Sequence, residues 1–300
     1  MYKLIAIDLD GTLLNSYGQV SEKNKEYINK AINNGAEVVI ASGRPVSSAR
    51  SIANEINANN YIICGNGSIL YDLQNNQILY NKFIEKNKVL QIIKICEENS
   101  IYYNIYTENL TITKSLNYNT RVYNYENQNK PEEQRTNIKI ANDIYKYIDE
   151  SEDTNVLKIT ICDNSNIIFG RIIKRLRDIK NIDVLDVEHM SRKTIKNGTS
   201  EVKIEYYYTE VTSQNVNKWN AIEKLASELN INKEEIMSIG DNINDKEMIK
   251  NAGLGVIMGN SAPYMKEFAD AEVATNNEDG VAEAIEKYVL GKSDWQINTE

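Results

Sequence analysis

One histidine, His189, is all the chain offers to any mechanism built on imidazole. A Ser-His-Asp relay or a multi-histidine metal centre would have to rest on that single residue, which reads better as an ordinary surface histidine. Cysteine is nearly as scarce. Cys64, Cys96 and Cys162 are far apart and show no Cys-x-x-Cys spacing. They sit in or beside apolar runs, as buried free thiols of a reducing, cytoplasmic setting do. No apolar run approaches the roughly 18 residues a membrane helix needs, and the first such run is broken early by Asp8, unlike a signal peptide. Excess positive charge is absent too. The net charge of -9 and isoelectric point near 5.0 argue against nucleic acid or an anionic membrane as partner. They leave room for a phosphorylated substrate, because a local cation can reverse the field at one site. What remains is a chain of 300 residues, 41% hydrophobic, with a mean hydropathy of -0.50. That is enough for one large or two modest globular domains.

The chain is organised around its first strand. Leu4 to Ile7 is a short continuous apolar run, the pattern of a strand buried on both faces. It ends in Asp8-Leu9-Asp10-Gly11-Thr12. Alternation along a strand sends Asp8 and Asp10 to one side, and Gly11 permits a sharp turn before Thr12. Two carboxylates at the end of a buried strand are costly unless a cation or substrate lies between them. Open α/β sheets place their chemistry at that end.

The following segments repeat a strand–helix rhythm. Ser21 caps a helix carrying Ile28, Ala31 and Ile32, which Gly35 stops. Ala36 to Ala41 is a second buried strand ending in Ser42-Gly43-Arg44-Pro45, and Pro45 starts a further helix. Tyr61 to Cys64 ends in Gly65-Asn66-Gly67. Ser68 to Tyr71 and Gln77 to Tyr80 flank Asn75-Asn76 as a hairpin. Between about Ile84 and Tyr208 the rhythm gives way to a mixed pattern. It comprises a helix over Asn87 to Glu98, tyrosine-rich strands near Ile101 to Thr113, and a polar excursion over 128–135. A strand over Val156 to Cys162, a basic helix from Phe169 to Ile179 and a hairpin around Asn197-Gly198 complete it. The α/β pattern then resumes, with a helix from Lys218, a strand over Glu235 to Ile239 and the loop Gly240 to Asp245. The fold class is therefore α/β, a doubly wound parallel sheet with an inserted α+β domain. The expected boundaries are 1–83 and 209–300 for the core and 84–208 for the insertion.

Four strand-end loops carry groups suited to phosphoryl chemistry. Ser42 and Gly43 offer a hydroxyl and an open backbone amide, although an ordinary turn before a proline-started helix reads the same. Lys218 puts a positive charge at a helix start, where the macrodipole prefers an anion. A neighbouring phosphate resolves that oddity. Asp241, Asn244 and Asp245 follow a buried strand. A calcium loop fits them poorly, since Ile243 sits where an oxygen ligand belongs and Lys246 where a glycine belongs.

Together these residues resemble the four motifs of the haloacid dehalogenase superfamily, in order. Asp8 to Thr12 resembles the first, Ser42-Gly43 the second, Lys218 the third and Gly240 to Asp245 the fourth. The similarity is closest to the Cof-type phosphatases, which insert a large α+β cap between the second and third motifs. Ser42-Gly43-Arg44-Pro45, Gly65-Asn66-Gly67 and Thr275 to Val281 add to it. Trp219 departs from it, standing where the family usually has glycine, and is expected to crowd the substrate side of the pocket.

The resemblance implies a phosphoric monoester hydrolase acting on a small phosphorylated metabolite through an aspartyl phosphate. Asp8 is the implied nucleophile, Asp10 the acid–base, and Lys218 the catalytic cation. Asp8, the backbone carbonyl of Asp10, and Asp241 would hold Mg²⁺. The Leu9 amide, Thr12, Ser42, Gly43, Lys218 and Asn244 would serve the phosphoryl group, with Thr12 also positioning Asp10. Asp245 would stand behind these groups, orienting Lys218 or a metal-bound water. A monomer or homodimer is expected. A phosphomutase, or a non-catalytic sensor of a phosphorylated metabolite, is the alternative. A receiver-like switch is disfavoured because Asp10 supplies acid–base catalysis that a long-lived phosphate does not need.

Overall fold

The computed structural model describes residues 2–129, 132, 135–152, 154–185, 191–197 and 200–291, with backbone alone at 129, 191–197, 200 and 201. His189, Gly198 and part of the polar excursion lie outside them. By contacts the chain divides into two compact units. The first comprises the residues up to Arg44, Ala49–Asn81 and those from Asn217 onward; the second comprises Pro45–Ser48 and Lys82–Val216.

The first unit opens with β1 (Leu4–Ile7), buried at every position. It continues through α1 (Glu22–Asn33), β2 (Glu37–Ala41), α2 (Val46–Glu55), β3 (Tyr61–Cys64), β4 (Ile69–Asp72) and β5 (Gln77–Asn81). The Ser21 hydroxyl accepts the Asn24 amide at 3.1 Å, satisfying one of the donors a helix start leaves unpaired. Asn76 takes a positive φ of 52° in the turn between β4 and β5, a conformation asparagine tolerates well.

The second unit holds α3 (Lys86–Glu98), β6 (Tyr102–Thr107), β7 (Thr111–Thr113), α4 (Tyr118–Glu126), β8 (Ile138–Ile140) and α5 (Ile144–Glu150). It goes on with β9 (Val156–Asp163), α6 (Asn166–Arg177), β10 (Ile182–Val184), β11 (Ser191–Asn197) and β12 (Ser200–Ser213). Among the described residues its sheet runs β10-β12-β9-β6-β7-β8, with β11 paired to β12. One face is apolar: Tyr103 and Ile105 of β6 and Ile159 and Ile161 of β9 join a core with α3, α5 and α6. The alternate residues Asn104, Tyr106, Lys158 and Thr160 point the other way, as strand geometry requires, and are also buried. There Lys158 meets Glu210 at 2.5 Å, and Asn119 of α4 donates to the Tyr106 hydroxyl at 3.0 Å. β12 runs unbroken to Ser213 in this sheet. The contact division therefore falls after Asn81 and after Val216, where the sequence reading drew it after residues 83 and 208.

The chain then completes the first unit with α7 (Lys218–Glu228), β13 (Ile236–Gly240), α8 (Lys246–Asn251), β14 (Leu254–Met258), β15 (Ala271–Val273) and α9 (Gly280–Tyr288). The strand order is β15-β14-β13-β1-β2-β3-β4-β5. Every neighbouring pair from β15 to β3 is parallel, and the last two pairs are antiparallel. Register sets the site. Ile7 faces Ile239 on one side and Ile40 on the other, so β1, β13 and β2 end together and their following loops converge.

Trp219 does not crowd a pocket. It is buried with Leu4, Val39, Leu70 and Ile222 against the sheet, because consecutive helix residues point about 100° apart and Lys218 takes the functional direction. All three cysteines are free and buried. Among the described residues no helix is long and apolar enough to cross a membrane.

Candidate active site

At the centre is a buried ion cluster. Lys218 is the first residue of α7, whose cap is Asn217, accepting the Asn220 amide at 2.9 Å. Its ammonium, fully buried, donates to Asp8 Oδ1 and to Asp245 Oδ1, each at 2.5 Å. The cation that looked misplaced at a helix start is thus held by two carboxylates from the ends of β1 and β13. Asp245 is fixed further, its Oδ2 accepting the amides of Asp241 and Asn242 at 3.0 Å each. The Thr12 hydroxyl donates to Asp241 Oδ1 at 3.1 Å, rather than to Asp10 as expected. Gly11, with φ of +89°, makes this turn possible, since a Cβ there would collide with the Asp241 carboxylate.

The charges do not balance. Asp8, Asp241 and Asp245 each offer a carboxylate oxygen, all within 4.8 Å of one another, and Lys218 neutralises one charge of the three. Burial, then the charge of Asp245, raises Asp8 to about 8 against the opposing pull of Lys218. Burial and Asp245 raise Asp241 to about 6. Burial disfavours the Lys218 ammonium, yet Asp245 and Asp8 outweigh it and lift its pKa. A set of hard oxygen donors short of positive charge suits a hard divalent cation. Asp245, expected to stand behind the metal ligands and orient Lys218, bonds Lys218 and also lies within this acidic cluster, and the Asp10 carboxylate takes a separate partner.

Asp10 pairs with Arg44. The Arg44 Nε meets Asp10 Oδ2 at 2.8 Å and Nη2 meets Oδ1 at 2.6 Å, the fork geometry of a bidentate pair. Arg44 belongs to the loop after β2, where the Ser42 Oγ accepts its amide at 3.2 Å. Ser42 itself is buried. Gly43 lies so close to Asn66 that a Cβ would stand 2.8 Å from its Oδ1. That oxygen accepts a hydrogen bond from the Asn244 side-chain Nδ2 at 3.2 Å. Asn66, at a positive φ of 58°, therefore joins the second-strand loop to the β13 loop. Leu9 is buried, and its carbonyl accepts the amides of Thr12 and Leu14, closing the turn that presents Asp10.

Sequence reasoning gave no role to the side chains of Arg44 and Asn66, although both lay in motifs it singled out. It also missed the restraints on the first loop. Asn260 donates to the Gly11 carbonyl and Asn276 to that of Leu14, both at 2.8 Å. Asn277 accepts the Ser16 amide at 2.9 Å, and Asp279 accepts the Ser21 hydroxyl at 2.6 Å. The stretch Thr275 to Val281 thus belongs to the site as its brace.

A run of parallel strands ending in an acidic cluster with a buried lysine suits the class of phosphoryl-handling hydrolases, and the comparisons agree. The model of the haloacid dehalogenase-like hydrolases matches residues 5–285, and the chain belongs to that family. Phosphatase YwpJ of Bacillus subtilis is 29% identical over 303 residues, covering 96% of this chain and all of the relative. The 5-amino-6-(5-phospho-D-ribitylamino)uracil phosphatase YcsE of the same organism is 30% identical over 297 residues, covering 96% of each. A solved haloacid dehalogenase-like hydrolase from B. subtilis superposes with a TM-score of 0.77 at 27% identity, over 96% of this chain and 100% of that one. Within the family the chain is a Cof-type phosphatase, a phosphoric monoester hydrolase of the kind that uses a divalent metal.

Proposed function

We propose that this phosphatase hydrolyses a small phosphorylated metabolite, a sugar phosphate, nucleotide or cofactor phosphate, through an aspartyl phosphate on Asp8. The observation that carries the reading is the fully buried Lys218 bridging Asp8 and Asp245 at the converging strand ends. Lys218 fixes one oxygen of Asp8, and attack on phosphorus is assigned to the other. In the first step an Asp8–phosphorus bond forms, the ester bond breaks and Asp10 gives its proton to the departing oxygen. In the second, water attacks phosphorus, its proton passes to Asp10 and the Asp8 carboxylate leaves. The Leu9 amide, Ser42, Gly43, Asn244 and Lys218 are assigned to the phosphoryl oxygens. Thr12 is committed to Asp241 and leaves that set. Asp8, the Asp10 carbonyl and Asp241 are the assigned ligands of Mg²⁺, with Asp245 joining the same acidic cluster. Bound there, Mg²⁺ offsets the repulsion between an anionic nucleophile and a phosphate dianion.

A relative that acts on a phosphoribitylamino-uracil supports starting with phosphorylated polyols and heterocycles bearing them. Phosphate release from a panel of sugar phosphates, nucleotides, flavin and pyridoxal phosphates, with Mg²⁺, tests the reading. Asp8→Asn is expected to lose roughly 10⁴-fold or more in turnover, and EDTA to stop wild-type release until Mg²⁺ is returned. Near-normal turnover by Asp8→Asn would sink the nucleophile assignment; indifference to EDTA would sink the metal.

A further inference from the structure

The acid–base residue of that mechanism is already held by both oxygens. Asp10 is exposed, its side chain 62% accessible, and Arg44 is 29% accessible. An ion pair at that exposure contributes little to stability, so its two short bonds do little for the fold. What they do is fix the direction of the carboxylate. The Arg44 backbone is itself anchored on both sides: its amide donates to Ser42 Oγ, and its carbonyl accepts the Gly65 amide at 3.1 Å. The fork therefore reaches Asp10 from a rigid base between two strand-end loops.

We infer that Arg44 is a positioning residue for Asp10, holding its carboxylate in the orientation that deprotonates water during hydrolysis of the aspartyl phosphate. This rests on the proposed roles of Asp8 and Asp10. Transfer to a leaving oxygen, or from water, needs one Asp10 oxygen at a time. Arg44 gives up one bond and keeps the other, which acts as a pivot. In the second half-reaction the water oxygen bonds to phosphorus, the phosphorus–Asp8 oxygen bond breaks with its electron pair returning to Asp8, and the water proton goes to Asp10. A carboxylate that keeps a guanidinium partner stays aimed at that water. One without it rotates into solvent, and the phosphoenzyme persists.

The test uses the whole protein with Mg²⁺ and p-nitrophenyl phosphate, whose leaving group departs without a proton and so isolates the second step. Rapid acid quench counts the phosphoenzyme. Arg44→Ala is expected to melt with the wild type and to lose about 10- to 100-fold in turnover, a share of the about 10²- to 10⁴-fold that acid–base catalysis contributes. Its KM for this probe should not rise, and most of the enzyme should accumulate as phosphoenzyme. Added guanidinium should restore part of the rate where methylammonium does not, and Arg44→Lys should stay slow for want of a second donor. A rise in KM alone, without trapped phosphoenzyme, overturns the inference and makes Arg44 a substrate contact. Unchanged turnover overturns it too. If the wild type yields no phosphoenzyme and Asp8→Asn still turns over, the mechanism beneath it has failed instead.

Discussion

Replacing Lys218 by methionine keeps the length and the apolar stem of the side chain and deletes the charge alone. The consequence follows from the burial of its partners. Lys218 and Asp245 are both fully buried, and Asp8 nearly so. Removing one member of a buried pair leaves an uncompensated charge and costs about 3–5 kcal/mol. Here Asp8 and Asp245 would face each other across the vacated position. For a unit of this size each kcal/mol moves the melting temperature by about 2–4 °C, so a drop on the order of 10 °C is expected in EDTA at about pH 8. Near pH 5 the loss should shrink, because Asp8, raised by burial, takes up a proton instead of remaining charged. Adding Asp245→Asn to Lys218→Met should recover part of it by removing a second charge. Differential scanning fluorimetry of the wild type and the two variants, in EDTA at both pH values, reads all of this. A Lys218→Met protein that melts with the wild type at the higher pH would refute the view that this lysine neutralises the site. So would a loss as large near pH 5 as near pH 8.

The raised carboxyl groups give a second test in the unsubstituted protein. Their folded pKa values, about 8 for Asp8 and about 6 for Asp241, lie above the ordinary carboxylate range. Their contribution is therefore full below that range and is lost as pH rises through the folded values. Metal-free protein should lose stability between about pH 5 and pH 8 through these groups, and Mg²⁺ should raise the melting temperature more at the upper end, where its ligands are ionised. A Mg²⁺ increment that is flat with pH, or larger in acid, would contradict the assignment. Thr12→Val removes the hydroxyl that orients Asp241. It should weaken Mg²⁺ activation by about 10- to 100-fold, as loss of a partner behind a metal ligand typically does, with the Mg²⁺ dependence of phosphate release as the readout. Equal Mg²⁺ requirements would return Thr12 to the role sequence gave it, beside Asp10.

The legible parts of this molecule are those whose cause lies within a few residues. A buried apolar run that stops at Asp8, a capping Ser21, a Gly-Asp loop after Ile239: each declares itself locally, and parallel register then brings the loops together. The second unit was harder to read. α4 is built from YNTRVYNYE, asparagine and tyrosine that favour no helix, and it forms because Asn117 caps it and tertiary packing buries Asn119, Thr120 and Val122. Lys158 and Glu210 are widely separated residues that only the sheet brings together. Trp219 misled because its neighbour Lys218 carries the function, whereas a turn of about 100° per residue sends the indole to the core. The Asp10–Arg44 fork and the asparagine brace share that obscurity, since their partners are distant in sequence and neither asparagine nor arginine advertises a partner.

The brace also sets an order of events during synthesis. Every described strand of the second sheet is made before Asn217, so that unit can complete itself while the chain is still growing. The loop that carries Asp8 is made before that unit. Yet its neighbour β13, its lysine and its restraints at Asn260, Asn276 and Asp279 arrive last. Until they are made, that loop has only its own turn, β2 and Arg44 to hold it. The acidic cluster is therefore assembled only after β13 and the loop that follows it are made.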